Sequence, residues 1–230
     1  MYFQHSPDIW GEYPELAAGV VFATGITPDV SVDPQVAQFN TIAKARLATG
    51  SEAELPEIQA WRSAFSKMGL KPTQYRCASE SLLRRFRKEG SLPNIHPLID
   101  LCNAVSLAFA IPVAAFDATK LSESLEVRYA TGDEHYLTFS GKTEHPNVHE
   151  VIFADAAGTA HSRRWTNRQS GYSAIRHTTT TVLIVAEGMH RSATADVAKL
   201  AAVLTGELAA IWSISPDTAV LNPSAPRFEF

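Results

Sequence analysis

Two stretches of the chain collect residue types that do chemistry. The first runs from Arg76 to Asn103 and holds Arg76, Ser79, Glu80, Arg84, His96, Asp100 and Asn103, on or beside two short helical patterns. Asp100 and Asn103 share a helix turn, and His96 precedes its start. A helix N-terminus presents unpaired amides and the positive end of its dipole, which suits an ester carbonyl or a phosphate. The same residues also serve a plainer purpose if Asp100 only caps the helix or makes a core hydrogen bond. The second stretch runs from Glu144 to Gln169. Glu144 and Glu150 bracket a turn before an apolar strand that ends at Asp155. Then Arg163-Arg164-Trp165-Thr166-Asn167-Arg168-Gln169 interleaves cations, an indole and amides. Such a mixture pairs with phosphates and stacks on a base or ribose; the alternative is a basic turn with Trp165 as a core anchor.

Other combinations carry less. His145 and His149 would need to lie one helical turn apart to hold a metal, and Pro146 breaks a helix there, so loop histidines and no metal are expected. Cys77 and Cys102 match neither zinc nor redox spacing, and a reduced cytoplasmic protein is expected. No phosphate-cradling glycine loop, dinucleotide fingerprint or Gly-x-Ser-x-Gly elbow occurs among the 12 glycines, so no cofactor is implied.

Periodicity places these residues on elements. Leu16–Thr24 reads as a buried strand, and Asp33-Pro34 opens a helix capped by Asp33 that Gly50 ends. A second helix spans about Leu55 to Met68, with Ile58, Trp61 and Phe65 inward. Ser79 to Lys88 reads as a short helix capped by Ser79 and stopped by Gly90. After His96-Pro97, Leu98–Ala108 is helical with Ile99, Asn103 and Ser106 on one stripe. Strands follow at Val113–Phe116, Ser124–Tyr129, Tyr136–Phe139, Glu150–Ala154 and Thr178–Ala186, and a long helix closes the pattern at Ala193–Trp212. Helices at the front and end with strands between predict an α+β fold, central β-sheets flanked by helices, with residues 1–230 as one domain.

The net charge of −4 and the pI near 6.1 argue against a protein that holds nucleic acid by bulk electrostatics. One local basic patch exists: Lys71, Arg76, Arg84, Arg85, Arg87 and Lys88 stand against the single acid Glu80. It is either a solvated helix face or a local RNA contact. No apolar run is long enough to span a bilayer, and the N-terminal residues form no secretory signal.

Three ordered segments resemble a known family. Ser79-Glu80-Ser81-Leu82-Leu83-Arg84-Arg85, Pro93-Asn94-Ile95-His96-Pro97-Leu98-Ile99-Asp100-Leu101-Cys102-Asn103 and Ile111-Pro112-Val113-Ala114-Ala115-Phe116-Asp117 are similar to the B3/B4 domain, the editing domain in the beta subunit of phenylalanyl-tRNA synthetase. Gly141-Lys142-Thr143-Glu144 and Val151-Ile152-Phe153-Ala154-Asp155 resemble its later segments. The similarity covers Tyr75 to Glu187, so residues 75–230 hold its core and residues 1–74 pack on it. His5-Ser6-Pro7-Asp8-Ile9-Trp10 and Arg163–Gln169 resemble freestanding proteins built on this domain. Ile95-His96-Pro97 departs from the family's Ile-Asn-Asn, and Ser140-Gly141 from its Asp-Gly, which puts amino acid specificity in doubt.

The resemblance implies a trans-acting hydrolase that deacylates mischarged aminoacyl-tRNA at its 3′ end, or alternatively a tRNA-binding module that has lost the chemistry. In the first case His96 would orient water and Asn103, or amides near Ser79, would face the oxyanion. Ser79, Glu80 and Glu144 would hold the amino acid, with Glu144 reading a side-chain hydroxyl. Arg76, Arg84, Arg164, Trp165 and Asn167 would meet the RNA.

Overall fold

A computed structural model describes residues 1–230. Its strands are β1 (Tyr2–His5), β2 (Ala17–Thr24), β3 (Val113–Asp117), β4 (Ser124–Tyr129), β5 (Tyr136–Leu137), β6 (Thr143–Glu144), β7 (Val151–Asp155), β8 (Ala160–Arg163), β9 (Arg168–Gln169), β10 (Thr181–Gly188), β11 (Asp217–Leu221) and β12 (Arg227–Glu229). Its helices are α1 (Pro7–Glu12), α2 (Asp33–Leu47), α3 (Pro56–Lys67), α4 (Ala78–Glu89), α5 (Pro97–Phe109) and α6 (Ala193–Trp212). The fold is α+β. No helix is long and apolar enough to cross a membrane.

The residue pattern of β10 organises the molecule. Side chains alternate across a strand, so Val182, Ile184 and Ala186 share one face while Leu183, Val185 and Glu187 share the other. Both faces are buried. The four-stranded sheet β11-β2-β10-β3, antiparallel throughout, therefore has a core on each side. One core joins Val182, Ile184 and Ala186 to α2, α5 and α6 through Phe39, Leu101, Val105, Val197 and Leu204. The other joins Leu183 and Val185 to Phe3, Leu125, Val127 and Phe153 of a six-stranded sheet, together with α3 and α4. That second sheet runs β12-β1-β4-β7-β8-β9, with β1 and β4 parallel and the rest antiparallel. Its far face carries Ile152 and Ala154 beneath the β5–β6 hairpin and Tyr136.

Most expected elements lie where the pattern places them, and two caps differ. The residue before α2 is Val32, with no side-chain cap bond, so Asp33 opens the helix from within its first turn. Cys77, not Ser79, precedes α4, because Ser79 is fully buried inside the helix with its hydroxyl 3.4 Å from Cys77 Sγ. On α5 the buried face is Leu98, Leu101, Cys102 and Val105, so Ile99 and Asn103 turn to the half-exposed side. Gly90 ends α4 at φ 79°, as its C-cap position requires.

Two expectations follow. At Gly19, β2 lies against α6, and an added Cβ would sit 2.9 Å from Val197 Cγ1 and 3.3 Å from its carbonyl oxygen. Gly19→Ala is expected to cost about 1–3 kcal/mol by overpacking, read as a lower midpoint in urea unfolding. In the turn after β4, burial raises the Glu134 carboxyl, but the amides of Thr131 and Gly132 and the Arg128 guanidinium hold it down at about 2. A depressed folded value stabilises the fold above the ordinary 4.5, and that stability is lost as pH falls towards 2. Glu134→Gln should flatten the acid limb of a thermal melting series by at most ~3 kcal/mol.

Candidate active site

Where the two sheets face each other, a pocket opens between Ala78 of α4, Pro112, β3, Phe153 of β7, Ser162 of β8, the Trp165–Gln169 turn and the end of β10. Its walls are mainly apolar: Pro112, Val113, Ala114, Phe116, Phe153, Trp165 and Val185. Glu187, buried at 2% exposure, brings a carboxylate to this lining.

That carboxylate is held from distant parts of the chain. His5 Nε2 lies 2.6 Å from Glu187 Oε1, and Trp165 Nε1 donates to the same oxygen at 2.9 Å. Trp61 Nε1 donates to the Glu187 carbonyl at 3.3 Å. Glu187 Oε2 has no protein partner. Trp165 is fully buried, edge-on to Tyr13 and Trp61 at centroid separations of 4.9 and 5.1 Å. Its position needs an unusual backbone: Arg164 and Trp165 both adopt left-handed φ, 49° and 57°, which costs an L-residue of order 1–2 kcal/mol. The turn is fixed by Arg164 N donating to Glu150 Oε1 at 3.0 Å, Trp165 N to Val151 O at 2.7 Å and Ser162 Oγ to Trp165 O at 2.8 Å.

The same turn sends Arg163 the other way. Its guanidinium grips both oxygens of Glu150, at 2.9 and 2.8 Å, and reaches Glu144 at 2.7 Å, where Arg168 also donates at 3.0 Å. Arg168, then Arg163, hold the Glu144 carboxyl below its ordinary value. Burial raises that of Glu150, but Arg163 outweighs it and the net shift is downward.

Of the residues singled out from the sequence, Trp165 and Asn167 line the pocket. Trp165 is closed off from solvent and stacks on protein rings, so it is not free to stack on a nucleobase. Asn167 Nδ2 donates to the Arg76 carbonyl at 2.8 Å, which brings Arg76 beside the pocket's rim. His96 caps α5, its Nδ1 accepting from Leu98 N at 3.2 Å. Burial first, then His177, lowers the His96 pKa, and its Nε2 is sealed without a partner. Asn103 lines a different hollow, with Asp100, Val36 and Asn94, and Asp100 accepts from Ile95 N at 2.9 Å. Glu80 is buried and paired with Arg62 at 2.6 Å and with Arg76 at 3.3 Å. Arg84 pairs with Glu52, and Arg164 lies over the Tyr75 ring at 4.9 Å. Ser79, Glu80, Glu144, His96 and Asn103 are thus absent from the pocket wall.

His5, Thr166 and Glu187 are the site residues that sequence reasoning passed over. The available signal was a carboxylate placed in register with Leu183 and Val185 at the end of the most apolar strand. A Ser-His-Asp arrangement also occurs, His161 contacting Ser173 Oγ at 2.8 Å and Asp155 at 3.2 Å. Ser173 and His161 are completely buried, so this triad ties β7, β8 and the following loop together and faces no substrate. Burial pushes the Cys77 thiol up to about 11 and the Cys102 thiol up to about 12, which makes neither a nucleophile near neutral pH.

Comparison with known proteins adds a family context. Residues 60–206 match the B3/4 domain. Over 63 residues the chain is 41% identical to a phenylalanine–tRNA ligase beta subunit of Coxiella burnetii, and over 74 residues 34% identical to that of Mannheimia succiniciproducens. These matches span 27% and 32% of this chain but only 8% and 9% of the relatives. Among solved structures, an N-terminal fragment of the Pyrococcus horikoshii phenylalanyl-tRNA synthetase beta subunit covers 93% of this chain and 49% of its own, at TM-score 0.49 and 9% identity.

Trp165→Phe keeps the ring but removes one of the donors to Glu187. It is expected to destabilise the protein by about 1–3 kcal/mol in chemical denaturation, because the carboxylate is buried. A loss no larger than that of an exposed substitution would show that the hydrogen bond to Glu187 adds no stability.

Proposed function

The chain belongs to the B3/4 domain family, and from that premise we propose that it is a trans-acting hydrolase that removes amino acids from mischarged tRNA. The observation that carries this reading is convergence. Two of the segments that resemble the editing domain, separated along the chain, reach one pocket, the one through β3 at Pro112, Val113, Ala114 and Phe116 and β7 at Phe153, and Ala78 joins them from the position just before a third. Its apolar walls, with one carboxylate in the lining, suit a small group such as one amino acid.

The reaction asks little of side chains. An aminoacyl-tRNA is an activated ester; water adds to its carbonyl carbon, the bond to the ribose oxygen breaks, and the ribose hydroxyl and free amino acid leave. What helps is a placed water and donors for the developing oxyanion, the latter worth roughly 10²–10³ in rate each. Ala78 opens α4, so amides with no intrahelical acceptor and the positive end of the helix dipole border the pocket. Thr166, a half-buried lining residue whose Oγ1 has no protein partner and is closed to solvent, is the group we assign to the water once its side chain rotates into the pocket. In this reading Arg76 and Arg164, near the Asn167 bond that joins α4 to the pocket, would meet phosphates of the acceptor end, and the acidic pI suits brief contact.

The test is deacylation of a panel of mischarged tRNAs by the wild-type protein, Thr166→Val and His96→Ala. Turnover of one or a few pairs, cut about 10- to 100-fold by Thr166→Val and little changed by His96→Ala, is the expected result. Binding of tRNA with no turnover of any pair would overturn the hydrolase and leave a tRNA-binding module.

A further inference from the structure

We propose that Glu187 is the receptor for the α-ammonium group of the bound amino acid, so that the pocket takes acyl groups with a free amine and rejects N-blocked or deaminated ones. This deepens the function proposed above and rests on it for the identity of the ligand.

The inference starts from the hydrogen bonds around Glu187. Trp165 Nε1 can only donate, and it donates to Oε1. His5 Nε2 contacts the same oxygen at 2.6 Å, while His5 Nδ1 is sealed from solvent with no partner. Both contacts thus fall on Oε1, and Oε2 takes neither.

That leaves one carboxylate oxygen, Oε2, with no hydrogen-bond partner and no arginine or lysine in contact. The one cationic side chain in the pocket lining, Arg168, is committed to Glu144 at 3.0 Å and lies over the Tyr136 ring at 5.2 Å. Arg163 is taken by Glu150 and Glu144. A carboxylate in an apolar pocket gains from a cationic partner on its free oxygen. Oε2, the oxygen without a protein partner, is where the counter-charge belongs.

The walls decide which cation. Val113, Ala114, Phe116, Phe153 and Val185 are apolar, which suits an uncharged side chain and not a guanidinium or a second ammonium. The positive group common to every aminoacyl ester is its α-ammonium. A compact ammonium also fits a single free carboxylate oxygen better than a planar guanidinium, which prefers two. Seating it at Glu187 fixes one end of the amino acid at the pocket floor and leaves the ester towards α4.

The experiment separates this inference from the hydrolase reading. Binding of the amides of phenylalanine, tyrosine, leucine and alanine is measured by calorimetry, each beside its deaminated counterpart, such as 3-phenylpropanamide for phenylalaninamide. In the wild-type protein at least one amide should bind 10-fold or more tighter than its counterpart, and N-acetylation should abolish the advantage. Glu187→Gln, which keeps the shape and can still accept from Trp165, should bind each pair equally. Equal binding within every pair, no binding by any amide, or a preference that survives in Glu187→Gln would overturn the inference. The wild-type comparison decides even if the variant does not fold. Ammonium preference without deacylation of any tRNA would sustain the inference and sink the hydrolase. Deacylation that proceeds equally on aminoacyl-tRNA and N-acetyl-aminoacyl-tRNA would sustain the hydrolase and sink the inference.

Discussion

A carboxylate facing the inside of a protein has to be satisfied by whatever surrounds it, and Glu187 draws its donors from three remote segments. β1 supplies His5, α3 supplies Trp61 for the carbonyl, and the left-handed turn supplies Trp165. Each of these segments has its own apolar reason to be there, since Phe3, Trp61 and Trp165 belong to one core. The hydrogen bonds add direction that burial alone lacks, because dispersion and the hydrophobic effect do not specify which edge of an indole faces inward. The polar cluster thus sets how the two sheets face each other, and the pocket is the space left beside it.

The turn at Arg163–Trp165 shows how that placement is held. On a regular strand Arg163 and Trp165, two residues apart, would share a face, and two left-handed residues after β8 separate them. Arg163 grips Glu150 and Glu144 towards the outside, and Trp165 enters the core. The strain of the two conformations persists because bonds from Glu150, Val151 and Ser162 all act on a few adjacent atoms. Strained backbone of this kind gathers at functional sites, where position matters more than local stability.

Legibility in the sequence followed chain locality. β2, β4, α2, α3 and α6 were readable because periodicity over one segment reports burial of that segment. β1, β8, β9, β11 and β12 were not, being two to five residues long with mixed polarity and pairing with partners far along the chain. His96 was conspicuous as His-Pro before a helix, and that signal is a cap's signal: its imidazole accepts from Leu98 N. Ser79 and Glu80 were conspicuous by composition, yet the turn of α4 that they occupy faces protein, not the pocket. Two of the segments that resemble the editing domain did locate the pocket, through Pro112–Phe116 and Phe153, although the residues picked from the others did not. Their apolar members formed the wall, and chemical reasoning had looked to the polar ones.

The state of the pocket's polar groups bears on what kind of ligand it can select. Ser162 is bonded to Trp165 O, Asn167 to Arg76 O, Gln169 to Ala115 O and Arg168 to Glu144. Recruiting any of these means exchanging an existing bond, typically about 0.5–1.5 kcal/mol of net stability, for a new one, which gains a ligand little. Glu187 Oε2 takes neither of the bonds that reach that carboxylate, and Thr166 Oγ1 has no partner. Polar recognition therefore concentrates on two atoms, one charged and one neutral, while the apolar walls respond to size alone. A site of this kind distinguishes strongly between ligands that do and do not supply a cationic head, since an unpaired buried charge is costly. It distinguishes weakly among side chains of similar bulk, since one methylene in an apolar wall is worth only about 1–3 kcal/mol. Breadth across amino acids and strictness about the head group are then two consequences of one arrangement.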